Sequence, residues 1–206
     1  MELITERLIL REFRKNDWPE VLAYQSNPLY LRYYESTERT PKAVQAFVKM
    51  FLDQQKEQPR TKFQLAVTLK TNKQLIGSCG IRTKSAAARE GDVGYEISPK
   101  HWGQGYATEA ARAVVQFGFS ELRLHRIWSW CIADNVGSVR VLEKLEMKLE
   151  GRLRDKEYFK GQSWDILLFA ILDHERSDRE AYMQGKTQFI VQVTEQAKRH
   201  YGTDLP

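Results

Sequence analysis

The residues best placed to do chemistry lie in one run, Tyr95 to Ala110, reading Y-E-I-S-P-K-H-W-G-Q-G-Y-A-T-E-A. An extended segment ends at Ser98-Pro99, and a turn, Trp102-Gly103-Gln104-Gly105, leads directly into a helix rich in small residues: Ala107, Thr108, Ala110 and Ala111. Glycines allow backbone N–H groups to converge on one concavity, and the first turn of a helix adds unpaired donors at the positive end of its dipole. The arrangement suits an anion, and a diphosphate above all. Two familiar phosphate loops are excluded by spacing. There is no Gly-x-x-x-x-Gly-Lys run followed by Ser or Thr, and the dinucleotide fingerprint needs a third glycine where Thr108 stands.

The segment resembles the pyrophosphate loop of the GNAT superfamily of acetyl-CoA-dependent N-acetyltransferases, Gln/Arg-x-x-Gly-x-Gly/Ala. Trp102-Gly103-Gln104-Gly105-Tyr106-Ala107 matches it except at the first position. Trp-Gly-x-Gly-Tyr-Ala-Thr-Glu-Ala is similar to the branch that acetylates the N-termini of ribosomal proteins. The likeness runs from the opening Thr5-Glu6-Arg7-Leu8-Ile9-Leu10-Arg11 to about Ile171. It implies an α/β fold with a mixed, mostly antiparallel central sheet and helices on both faces. It also implies acetyl-CoA as cosubstrate and an amine as acceptor, a protein N-terminus or a small amine.

Acetyl transfer requires the thioester to be held, its carbonyl polarised, the amine deprotonated and the thiolate stabilised. The resemblance assigns the first task to Gly103, Gln104, Gly105, Tyr106, Ala107 and Thr108, and the second to backbone at the strand end around Ile97 and Ser98. A removed oxyanion-type donor costs about 3 to 4 kcal/mol where it has been measured. Glu157, in Glu157-Tyr158-Phe159-Lys160-Gly161, matches a glutamate implicated as base in the ribosomal-protein branch, with Glu96 as its rival. An exposed strand carboxylate paired with Lys156 or Arg154 is the plainer reading of Glu157. Glu109 fits better as a helix-dipole partner. The tyrosine that many members place near the thiol is Leu142 here, and the usual Gly-Phe closing that helix is Glu146-Met147. The branch instead has Asn-x-x-Ser, matched by Asn135-Val136-Gly137-Ser138, so Asn135 would bond the pantetheine arm and Ser138 would lie near the sulfur. Asparagine is equally an ordinary helix cap.

The acceptor's own acidity bears on the base. Keeping an α-amine of pKa near 8 neutral at pH 7 costs about 1 to 1.5 kcal/mol, whereas a lysine amine near 10.4 costs about 4.5 kcal/mol. A modest base therefore suits an α-amine. Two other readings stay open at this point: a non-catalytic acyl-CoA-binding module, and a ribosome- or RNA-associated binding protein using the basic balance.

The elements that must position these residues follow from periodicity. Leu3 to Phe13 alternates as a strand. Asp17-Trp18-Pro19-Glu20 has the form of a capping box, and Thr40-Pro41 opens a helix with a stripe at Val44, Phe47, Val48 and Phe51. Tyr30, Tyr33 and Tyr34 form an aromatic patch between these helices that could line an acceptor cleft. Phe63–Leu69 and Leu75–Arg82 flank Thr71-Asn72-Lys73 as a hairpin, and Leu149–Phe159 and Trp164–Leu172 flank Lys160-Gly161 as another. Between them lie a strand at Val93–Ser98, the loop helix, a strand at His125–Ala133 with Trp128 and Trp130 directed to the core, and a helix opened by Asp134-Asn135. The order is β-α-α-β-β-β-α-β-α-β-β.

The 206 residues suffice for one domain over 1–172, followed from 173 by a polar tail, 173–206. Phe189, Ile190, Val193 and Ala197 could give that tail an amphipathic helix, a surface element or a homodimer contact. Two cysteines, Cys79 and Cys131, sit in strand-like segments, and four scattered histidines show no ligand spacing, so no metal is expected. No apolar run is long enough for a membrane helix and the N-terminus lacks a secretory shape, which points to the cytoplasm. A net charge of +5 is modest and no nucleic-acid recognition motif accompanies it, so direct nucleic-acid binding is not expected.

Overall fold

A computed structural model describes residues 1–175 of the chain, and one compact unit spans Met1–Asp173. The tail helix expected at Phe189–Ala197 lies outside the described residues. Eight strands form one sheet in the order β1-β2-β3-β4-β5-β6-β8-β7. They are β1 (Glu2–Ile4), β2 (Leu8–Glu12), β3 (Lys62–Leu69), β4 (Leu75–Thr83), β5 (Glu90–Ile97), β6 (Arg126–Ile132), β7 (Lys148–Phe159) and β8 (Gln162–Leu172). Every pairing is antiparallel except β5 with β6. The five α-helices are α1 (Trp18–Gln25), α2 (Pro28–Leu31), α3 (Pro41–Gln54), α4 (Tyr106–Ser120) and α5 (Val136–Lys144).

The two sheet faces are covered differently. On one, Gly118 of α4 lies so close to the strands that a Cβ there would meet Ile81 and Ile127 at 2.6 and 2.7 Å. On the other, α1, α2 and α3 bury Val21, Tyr24, Tyr30, Val44, Val48 and Phe51 against Ala66 and Leu75. The stripe expected on α3 is the buried one, and Thr40 caps it by accepting from the Ala43 amide at 3.2 Å. Helices therefore flank both faces, as the resemblance implies.

Three local expectations need correction. Leu3–Phe13 is two short strands, because the Thr5 hydroxyl takes the Leu8 amide (3.0 Å) and folds the chain back on itself. Asp17 is the N-cap of α1 but does not cap with its side chain. Its carboxylate instead binds both terminal nitrogens of Arg11 at 2.8 and 2.9 Å, a charge-assisted pair, and accepts the Arg14 amide behind it at 2.7 Å. Trp130 is 53% exposed rather than core, since among the described residues no helix covers that part of the face bearing Trp128 and Trp130.

Candidate active site

Strands β5 and β6 pair only over Glu90–Asp92 with Arg126–Trp128. Beyond that β5 continues along β4 and β6 along β8, so the sheet splits. Side chains alternate across a strand. Tyr95 and Ile97 face α5, where the Tyr95 hydroxyl donates to the Ser138 carbonyl (3.1 Å) and hydroxyl (3.3 Å). Glu96 faces α1 and α2. A cavity of about 660 Å³ occupies the split and is lined from both faces.

At one end of the cavity stands the glycine turn. Gly103 and Gly105 both adopt left-handed backbone, φ +74° and +83°, which side chains resist. Gly105 is the N-cap of α4 and offers no side chain to its first-turn amides, so the donors of Tyr106, Ala107 and Thr108 are left for a ligand. Nothing lies within 4 Å of a Cβ at Gly103. An uncapped helix start at an open concavity fits a diphosphate. Arg140 and Lys144 of α5 add positive charge to the same cavity wall.

At the other end, Glu96 gathers four donors. Its carboxylate accepts from the Tyr24 hydroxyl (2.6 Å), the Tyr30 hydroxyl, the Gln25 amide (3.2 Å) and the Ser78 hydroxyl (3.1 Å). Burial, reinforced by the Glu96 charge, pushes the Tyr24 and Tyr30 hydroxyls far above the usual phenol range and Tyr34 up to about 12. These phenols therefore remain protonated donors. Burial likewise raises Tyr95, while burial and the nearby Lys100 lower His101, keeping its imidazole neutral near pH 7. The Nδ1 of His101 is buried without a partner. Around the mouth, Tyr33 donates to the Asp134 carbonyl at 2.8 Å, and Tyr30 stacks on Tyr34 with centroids 4.7 Å apart.

The residues singled out in the sequence fall into two groups. Ile97, Gly103, Gly105, Tyr106, Ala107, Thr108, Asn135 and Ser138 line the cavity together. Asn135 caps α5 through the Ser138 amide at 3.2 Å. Gln104 turns outward, donating to the Lys100 carbonyl at 3.3 Å, and Ser98 is buried with its amide on the Ile76 carbonyl at 2.7 Å; neither lines the cavity. The Ile97 carbonyl accepts the Trp102 indole N–H at 2.6 Å. Glu157 is exposed on β7 opposite Trp164, outside the cavity wall but on the same face as Glu96. That hairpin leans toward α2: Lys160 donates to the Leu31 carbonyl at 2.7 Å, and Trp164 meets Tyr33 edge-on at 5.7 Å. The Glu96 hub, His101 and Tyr95 were not assigned these places from sequence. The tyrosine and glutamine partners of Glu96 and the Ser138 partner of Tyr95 lie dozens of residues away, and only the tyrosine cluster hinted at them.

Among the described residues, no helix is long and apolar enough to cross a membrane, and no group of three or more His, Cys, Asp or Glu could hold a metal.

Comparison with known proteins agrees with this geometry. The model of the acetyltransferase (GNAT) domain matches residues 7–148. The uncharacterized N-acetyltransferase YoaA of Bacillus subtilis is 34% identical over 175 residues, spanning 82% of this chain and 96% of that protein. A GNAT-family acetyltransferase from Bacillus anthracis superposes with a TM-score of 0.74 at 30% identity, covering 85% of this chain and all (100%) of that one. The spermidine N-acetyltransferase of Vibrio cholerae, solved with CoA and spermine, shares the fold at a TM-score of 0.70 and 20% identity, over 82% of this chain and 96% of its own. With the loop, the split sheet and these relatives in agreement, the chain belongs to the GNAT family of acetyltransferases and is an enzyme that moves an acetyl group from acetyl-CoA to an amine.

Proposed function

We propose that the diphosphate of acetyl-CoA sits on the amides of Gly103–Thr108 and that its arm runs past Asn135 and Ser138 toward the split. The acceptor is then an α-amine, such as a protein N-terminus, arriving from the α1–α2 side. One observation carries this reading: a single cavity joins the glycine turn to the Glu96 hub through the gap between β5 and β6.

Acetyl-CoA supplies an activated acyl group, and the chain's own residues do the rest. Backbone at Ile97 borders the place where the acyl carbonyl must lie. Ser138, held by Tyr95, offers a hydroxyl to the departing sulfur. Of the two carboxylates lining the cavity, Glu96 and Asp134, Glu96 lies at the sheet gap and takes the proton from the incoming ammonium, as one of its four donors gives way. Glu157 stands at the rim, where it can attract an ammonium before entry.

The lining favours an α-amine over a polyamine. Among the cavity residues the acceptor half offers Tyr30, Tyr33 and Tyr34, the carboxylates Glu96 and Asp134, and the guanidinium of Arg32 over the Tyr33 ring at 5.2 Å. The second ammonium of a polyamine would meet Arg32, a like-charge encounter worth about 1 kcal/mol at 4 Å even in water. The low pKa of an α-amine also asks less of a carboxylate already engaged by donors.

The test is thiol release from acetyl-CoA with a panel of free-N-terminal peptides, spermidine and a lysine side-chain analogue, products being weighed. Peptides should give the highest kcat/KM, with the acetyl group on the α-nitrogen. A preference for spermidine would overturn the acceptor assignment.

A further inference from the structure

Three strands of evidence meet at Arg7, which lies between β1 and β2 and far from the loop in sequence. Each nitrogen of its guanidinium makes a contact within the protein. Nε and one terminal nitrogen both reach Glu109 Oε2 at 2.7 Å, and the other terminal nitrogen donates to the Gln104 carbonyl at 2.9 Å. Its face lies over the Tyr106 ring at 4.5 Å. Glu109, in the first turn of α4, is held from its other oxygen by the Thr5 hydroxyl (2.6 Å) and the Arg7 amide (2.8 Å). Burial alone would raise this carboxyl, but the bonds from Thr5 and Arg7 hold it below the ordinary glutamate range.

We infer that Arg7 and Glu109 form a clasp that presets the glycine turn for the cofactor's diphosphate, with Arg7 as a positioning residue rather than a phosphate ligand. The inference rests on the assignment of Gly103–Thr108 as the diphosphate seat. A trans peptide carries its C=O and the following N–H on opposite sides. By drawing the Gln104 oxygen toward itself, Arg7 turns the Gly105 N–H the other way. Gly105 and Tyr106 line the cavity whereas Arg7 does not, so the far side is the ligand's side. The clasp also fills the space beside Gly105: a Cβ added there would come within 3.3 Å of the guanidinium. Each of the three nitrogens of its fork makes a contact within the protein and Arg7 does not line the cavity, so the guanidinium is turned to the clasp and not to the diphosphate. A lysine could not reproduce the arrangement, because one ammonium cannot span a carboxylate and a carbonyl in the planar geometry of a guanidinium.

Arg7→Met, Arg7→Lys, Glu109→Gln and the Arg7→Met/Glu109→Gln double variant test this in the full chain. Calorimetry should show CoA binding weakened about tenfold in either single loss-of-contact variant, the scale of a lost hydrogen bond to a charged group. The double variant should be scarcely worse than either single one, since both break one clasp. Arg7→Lys should recover little. Hydrogen exchange on the ligand-free protein should accelerate in the 102–108 segment while β3 and β4 keep their protection, and competition by pantetheine, which lacks the diphosphate, should be unchanged. Unaltered CoA affinity in Arg7→Met, or additive losses in the double variant, would overturn the clasp. Pantetheine and CoA losing affinity equally would reassign Arg7 to general stability and overturn it too. If the unmodified chain bound CoA no better than pantetheine, the seat itself would be misassigned, an outcome distinct from failure of the clasp. Should Arg7→Met not fold, Glu109→Gln carries the same measurements.

Discussion

Replacing Glu96 by glutamine separates chemistry from fold. The carboxylate holds Tyr24, Gln25, Tyr30 and Ser78. Glutamine keeps one acceptor oxygen, and the hydroxyls can rotate to receive its NH₂, so the disruption amounts to one imperfectly satisfied buried contact, about 1 to 3 kcal/mol. A domain of this size moves its melting midpoint by about 2 to 4 °C per kcal/mol, so the variant should remain folded at 25 °C. Loss of a positioned proton acceptor costs about 10² to 10⁴ in rate. Glu96→Gln should thus lower kcat at pH 7 at least 100-fold with CoA affinity unchanged, because the residue faces away from Tyr95 and the cofactor side. The defect should shrink above the α-amine's pKa, near 8, where the acceptor arrives neutral. Glu157→Gln is the matched control and, exposed at the rim, should alter kcat by no more than about threefold. Thiol-release assays from pH 6 to 9.5, with calorimetry and melting curves, read all of this. Glu96→Gln turning over at the original rate at pH 7, or Glu157→Gln reproducing the full loss, would refute the assignment of the base.

Other substitutions probe the cofactor half. Gly103→Ala and Gly105→Ala each force a side chain into left-handed backbone at about 1 to 2 kcal/mol, and Gly105→Ala should weaken CoA more, since it also presses on Arg7; calorimetry ranks them, and Gly105→Glu should abolish binding. Ser138→Ala and Tyr95→Phe should each lower kcat less than tenfold, because a thiolate of pKa near 8.5 leaves without a strong acid, and burst-free steady-state rates will show whether the two are coupled. Burial pushes Cys79 up to about 12 and Cys131 up to about 11, so iodoacetamide at pH 8 should label neither thiol in the folded protein and both after denaturation, as mass spectrometry can count.

Local patterns carried most of the fold. The hairpin turns at Thr71-Asn72-Lys73 and at Lys160-Gly161 fall where the sequence puts them, with positive φ at Lys73 and Lys160 as well as at Gly161, and the α3 stripe and the Asn135 cap are where periodicity puts them. What failed was non-local. The break at Thr5 depends on a carboxylate at Glu109, and Asp17 abandons capping because Arg11 lies in reach on the neighbouring strand. Trp130 reads as core until one knows that the helices stop short of β6 and β8 on that face. The site divides the same way. The glycine turn is a contiguous feature that the sequence displays directly, and it lines the cavity with Asn135 and Ser138, whose roles belong to the proposal. Glu96 looks like any strand glutamate until α1 and α2 bring Tyr24, Gln25 and Tyr30 onto it, and Glu157 looks buried or exposed only once β7 is known to be the sheet's edge.

Under the proposed arrangement, the gap where β5 leaves β6 admits one ligand from each face of the sheet. A thioester approaching along α5 and an amine approaching past α2 meet in the plane of the sheet without crossing paths. In that arrangement neither has to depart before the other arrives and no side chain has to carry the acetyl group in the interval, so a ternary-complex rate law is expected. Double-reciprocal plots at several fixed amine concentrations should intersect instead of running parallel, as a covalent relay would require. The same geometry sets the shape of a potent inhibitor: a single molecule joining both ligands through a short bridge, threaded across the sheet where its hydrogen bonds lapse.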